Sequence, residues 1–253
     1  MYPTRHVQYH SVSGYVQIVS DGHYLPAFWA HPELGGPFPG LVLLHDYWGL
    51  TAFVRSQVRH LAEMGYYVIA PDLFNRQNAE TLEQAQALMK QLGMTALPYV
   101  VAALNALKTH NRCNGKMGLV GWGMGGGFGL QTAVVRDDLR ALVVFYGLPP
   151  ESELMPAELR TMECPVLGLF AAKDTETPVA RVEQVRQTLD ALKRGDEIVV
   201  YPDVERGCLD DPRDTFHPVA ATDAWNRMQV FLETQLEVSP PPKPDLFNPG
   251  RIY

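Results

Sequence analysis

The chain has 253 residues, 46% hydrophobic and 19% charged, and a formal net charge of −7 from 21 basic and 28 acidic side chains. That balance excludes a disordered chain, a collagen and a coiled coil. An acidic chain with no Lys/Arg block also argues against nucleic acid or an anionic membrane as partner. Cys113, Cys164 and Cys208, with no C-x-x-C spacing, suit reduced thiols better than a disulfide frame. The opening MYPTRHVQYH has no apolar core for a secretory signal. The longest weakly polar run, Met117–Leu130, is too short and glycine-rich to span a bilayer. The expectation is a cytoplasmic protein.

Residues 7–31 hold β-rich pieces (YVQIV, LPAFWA) that predict opening antiparallel strands. Leu41–Leu44 is a short, wholly apolar run, as in a strand buried on both faces. Thr51 is placed to cap a helix carrying Val54, Val58, Leu61 and Ala62 on one face and stopping at Gly65. Tyr67–Ala70 reads as the next strand. Helices follow over about 79–93 and 97–108, and strands near 117–120, 140–146 and 165–170. Val179, Val182, Val185, Leu189 and Leu192 form a helical stripe ending before Gly195. Ile198–Tyr201 is a late strand and 219–235 a late helix. This alternation implies an α/β fold with a mostly parallel sheet and helices on both faces. The domain is expected over 1–238. Residues 239–253, SPPPKPDLFNPGRIY, form a proline-rich arm that cannot be helical. It is either a solvated tail or an arm pinned by Leu246, Phe247, Ile252 and Tyr253 to this subunit or to a second copy in a homo-oligomer.

The richest segment is KMGLVGWGMGGGFGL, Lys116–Leu130. One reading is a nucleophile elbow, G-x-nucleophile-x-G, framed by Gly121 and Gly125. Its central residue is then Gly123, which takes the positive φ of that turn without strain but has no side chain to react. A second reading is a dinucleotide fingerprint through Gly121, Gly123 and Gly126. That motif wants an acid at the end of the next strand, and here ALVVF runs into Tyr146-Gly147. A third reading is close helix–strand packing through small residues.

Five segments together make the chain resemble the dienelactone hydrolase family of α/β-hydrolases over roughly residues 12–236. HDYWG (His45–Gly49) looks like the family's H-E-x-x-G segment. PDLFNRQ (Pro71–Gln77) looks like its P-D-L-Y-x-R segment. LVGWGMGG looks like its elbow, AAKDTETP (Ala171–Pro178) like its acid loop, and YPDVERG (Tyr201–Gly207) like its base loop. The resemblance implies an α/β-hydrolase fold, with nucleophile, acid and base at positions 123, 174 and 206. This chain has Gly123, Asp174 and Arg206 there. Arginine stays protonated and cannot be the general base. The family's elbow-facing glutamate corresponds to Asp46. Arg76 matches a family arginine, but Asp210-Asp211 follows the base loop, so an anionic dienelactone suits the site poorly.

Asp174 and Arg206 are expected to form an ion pair, often bidentate for this combination, unless Arg206 points to solvent. Tyr47, Trp48, Trp122 and Met124 flank two turns at strand ends, where α/β folds bind ligands, so they either line an apolar cleft or belong to the core. Main-chain N–H groups at Tyr47 and Met124 are the expected oxyanion donors, with Gly123 and Arg206 completing a ligand site. His45 reads as a loop anchor, His217 as a helix-start residue and Cys208 as an inert thiol. No residue spacing suggests a metal or cofactor. Three functions stay open: a catalytically silent homologue that binds a small carbonyl or carboxylate ligand, an ester or lactone hydrolase working through Asp46 or Cys208, and a scaffold that assembles through the arm.

Overall fold

The computed structural model describes residues 9–20, 22–150, 156–209 and 214–238. The arm at 239–253 and Asp210-Asp211 lie outside these residues. Eight strands form one sheet: β1 (Ser11–Ser20), β2 (His23–Pro32), β3 (Phe38–Leu44), β4 (Tyr67–Pro71), β5 (Cys113–Trp122), β6 (Leu139–Phe145), β7 (Val166–Ala171) and β8 (Glu197–Tyr201). Their spatial order is β1-β2-β4-β3-β5-β6-β7-β8. The β1–β2 and β2–β4 pairs are antiparallel and every later pair is parallel. This is the α/β-hydrolase arrangement expected from the sequence.

Among the described residues, seven α-helices flank the sheet: α1 (Ala52–Glu63), α2 (Leu82–Leu92), α3 (Ala96–Thr109), α4 (Met124–Val135), α5 (Pro156–Leu159), α6 (Val179–Asp190) and α7 (Pro218–Leu236). Side-chain caps start three of them. Thr51 Oγ1 accepts from Val54 N at 3.4 Å, Thr81 Oγ1 from Gln84 N at 3.3 Å, and His217 Nδ1 from Ala220 N at 3.2 Å. On α6, Val182, Val185 and Leu189 are buried, but Val179 is 40% exposed and Leu192 lies past the helix end. The stripe is therefore shorter than its spacing suggests. The four-residue α5 carries no such periodicity and was not expected.

The sheet divides the core by strand alternation. Leu41, Leu43, Val120 and Trp122 face α1 and α7, while Val42, Leu44, Leu119 and Val144 face the side of α3, α4 and α6. Burial on both faces explains the wholly apolar β3. From β3 the chain passes through α1 to β4 on one side, then returns to place β5 on the other. The strand order therefore reverses between β3 and β5. That places the turns after both strands at the crevice where open α/β sheets bind ligands.

Candidate functional site

The elbow after β5 keeps its backbone geometry. Gly123 has φ 51° and ψ −117°, a conformation that an L side chain adopts only under strain. Its N–H donates to Phe145 O at 2.9 Å, and its carbonyl accepts from Gly126 N and Gly127 N. Close packing accounts for the glycines around it. A Cβ on Gly125 would sit 2.5 Å from Leu44 O and 2.7 Å from His45 O. The packing and elbow readings of this segment thus hold together. As the first residue of α4, Met124 has an N–H with no acceptor inside the helix.

The turn after β3 faces the elbow. Asp46 is 7% exposed; its Oδ1 accepts from Trp48 N at 2.8 Å and its carbonyl from Gly49 N at 3.1 Å, which closes an Asx-type turn. His45 is fully buried and stitches two loops. It donates from Nδ1 to Asp46 O at 2.7 Å, and its Nε2 accepts from Leu73 N at 3.1 Å. Burial pushes the His45 pKa down, so the neutral ring that these bonds require is the favoured one.

Asp174 follows β7 and is 5% exposed. Its Oδ1 accepts from Glu176 N at 2.8 Å and Thr177 N at 3.1 Å, and its Oδ2 lies 3.2 Å from Arg206 Nη1. The expected ion pair forms, but it is not bidentate. The guanidinium is forked between two carboxylates, with Nε 3.4 Å from Glu176 Oε2. It also lies over the rings of Tyr47 and Tyr146, at 5.6 and 5.4 Å from their centroids. Burial opposes its charge, but Glu176 and Asp174 outweigh that and hold the Arg206 pKa above its ordinary value. The remaining nitrogen reaches across the site. Nη2 is 2.7 Å from where a Cβ on residue 123 would be, and Asp46 Cβ is 3.0 Å from the same point. The position that the resemblance gives to the base therefore fills the space of the position it gives to the nucleophile.

Tyr47, Trp48 and Met124 are half-buried and pack against an apolar cluster that includes Leu73, Phe74, Leu88 and Leu92. Trp122 does not join them; it is 4% exposed and stacked on Phe145 at 4.5 Å and 13° within the sheet core. Cys208 is 1% exposed within the apolar core on the α7 side, and its carbonyl accepts from His217 N at 2.8 Å. His217 is exposed, with Nδ1 committed to capping α7. Arg76 is exposed, and its N–H donates to Asp72 Oδ2 at 2.7 Å.

Two contributors were not foreseen. Glu176 also accepts from Tyr47 Oη at 2.9 Å; burial and this carboxylate push the tyrosine pKa up to about 12, so it stays a donor. Tyr146 is brought under Arg206 by a backbone φ of 30° at the end of β6. The acid-loop motif marked Asp174 without showing that its own turn would carry Glu176 into the site. No sequence signal points to Tyr146. Among the described residues, no group of three or more His, Cys, Asp or Glu side chains is arranged to hold a metal ion.

The fold and the strand-end site define an α/β-hydrolase. Residues 25–236 match the dienelactone hydrolase family, and the chain belongs to it. A Yersinia pestis protein carrying the provisional name carboxymethylenebutenolidase is 31% identical over 245 residues, covering 92% of this chain and 91% of its own. An Escherichia coli K12 protein of the same provisional name is 31% identical over 236 residues, covering 88% and 87%. A Klebsiella pneumoniae structure described provisionally as a dienelactone hydrolase superposes with a TM-score of 0.77 at 29% identity, over 88% of this chain and 98% of that one.

Proposed function

We propose that this protein binds a small carbonyl ligand between the β3 turn and the α4 N-terminus and does not hydrolyse it by nucleophilic attack from the elbow. One observation carries the reading: the Arg206 guanidinium, tied to Asp174 and Glu176, lies 2.7 Å from the point where a nucleophile's Cβ would begin. An arginine in that place cannot take a proton from a nucleophile. It can donate from Nη2, beside the Met124 N–H and the positive end of α4, to one acceptor oxygen. The sequence left both carbonyl and carboxylate ligands open. The two carboxylates already on the guanidinium favour the uncharged carbonyl.

Hydrolysis of p-nitrophenyl acetate and a neutral lactone by the wild type and by Gly123→Cys/Arg206→His tests this. The wild type is expected to stay at the buffer rate, while the double variant gains turnover. Wild-type turnover at an enzyme-like rate would overturn the reading. Its loss in Asp46→Asn would then favour a water-activating route through Asp46, which packs against the vacated nucleophile position. Burial of Cys208 in the apolar core speaks against a relocated thiol.

A further inference from the structure

Glu176 touches two members of the site and sits at its outer edge. Its side chain is 49% exposed, against 16% for Arg206 and 1% for Asp174. Asp174 fixes where it stands, because Asp174 Oδ1 takes the N–H groups of both Glu176 and Thr177. From that turn Oε1 accepts from Tyr47 Oη and Oε2 pairs with Arg206 Nε. A carboxylate ligand approaching the guanidinium from solvent would therefore pass close to Glu176, the more exposed of the two carboxylates paired with it.

The charges set the outcome. Arg206 alone would attract an anion. Asp174 cancels that attraction from the buried side, Glu176 leaves the group of three one unit negative, and Asp46 adds a further negative field at the guanidinium. A neutral carbonyl meets no such penalty, because it needs only a donor, and Arg206 Nη2 points toward the space above Gly123. Resting on the reading of this site as a carbonyl-binding cleft, we infer that Glu176 is its specificity determinant, admitting uncharged carbonyl compounds and turning carboxylates away.

The bland alternative is that Glu176 merely tethers Tyr47. Glu176→Gln separates the two roles, since the amide oxygen still accepts from Tyr47 Oη while the charge is gone. The test titrates the full-length wild type and E176Q with methyl levulinate and with levulinate, followed by ligand-observed NMR. The wild type is expected to bind the ester at least about tenfold more tightly than the acid. E176Q should narrow that ratio about tenfold by tightening levulinate alone, as expected when one half-exposed unit charge beside the guanidinium is removed. Glu176→Asp, which keeps the charge, should restore the wild-type ratio in part. An equal change for both ligands in E176Q, or a wild type that prefers levulinate, would overturn the assignment. A wild type that binds neither would overturn it together with the binding reading. If the wild type converts the ester to levulinate, only the non-hydrolytic reading fails. The ester-to-acid ratio across the variants still decides the role of Glu176.

Discussion

Restoring a side chain at position 123 should be costly alone and much cheaper beside a second change. In Gly123→Cys the new Cβ must adopt a φ of 51°, which costs about 1–3 kcal/mol for a residue other than glycine. It must also displace Arg206 Nη2, 2.7 Å away. That atom is the tip of a flexible chain, but the tip is held by Asp174 and Glu176 and lies over two aromatic rings. Moving it strips the cation from Asp174, whose side chain is 1% exposed. Breaking a buried pair typically costs about 3–5 kcal/mol; Asp174 keeps two main-chain donors, so the lower end applies. Arg206→His alone loses the same cation. In the double variant the cation is lost once, not twice, so the cost should fall short of the sum of the singles by about 2–3 kcal/mol. Urea unfolding followed by tryptophan fluorescence near pH 8, where a histidine at 206 is neutral, measures the cycle. Additivity to within about 0.5 kcal/mol would refute the argument, because Arg206 would then be leaving Asp174 at no cost.

Gly125→Ala should destabilise by about 3 kcal/mol or more in the same assay, since its Cβ would press on two main-chain oxygens that cannot move aside. Gly126→Ala should cost less, because its close neighbour is the Val144 side chain. Hydrogen bonds from Arg136, then Lys108, draw the Asp138 carboxyl down to about 2. Its contribution to stability is therefore full above about pH 4 and is lost as pH falls toward about 2. In urea midpoints, Asp138→Asn should be less stable than wild type at neutral pH, and the gap should close in that acid window. Native thiols should react slowly with a disulfide reagent: burial raises the Cys164 pKa to about 12, Cys208 is 1% exposed, and partly buried Cys113 should react first. Truncation after Val238 tests the arm by sedimentation; a change in oligomeric state would make it an assembly element.

Much of this site could be read before the structure because it is built on strand ends. β3, β5, β7 and β8 each carry an apolar run followed by a short turn, and the turns after them hold Asp46, Gly123, Asp174 and Arg206. Parallel pairing of these strands with their neighbours brings the turns to one edge of the sheet. What sequence did not convey was side-chain direction. The expected pair is single-pronged because the guanidinium also meets a second carboxylate, and that carboxylate is placed by an Asp174 turn with no residue signature of its own. Its place beside the elbow left Trp122 open between a cleft and the core. Strand alternation turns it into the core, under Phe53 and against Phe145.

Gly123 and Arg206 are best understood as one feature of the protein. The guanidinium fits over the elbow only because residue 123 has no Cβ, and a histidine at 206 would leave the Glu176 and Nη2 positions empty. Placing at 123 or at 206 alone the residue that the family resemblance gives to that position therefore meets an obstacle that the other maintains: a cation in the space of the side chain at 123, or a histidine facing a glycine. If the site binds carbonyl ligands as proposed, the backbone donor at Met124 remains and Arg206 supplies a fixed positive charge where the family geometry would have a proton transfer. The same scaffold would then hold the oxygen of a carbonyl compound with no nucleophilic side chain on the elbow to attack its carbon.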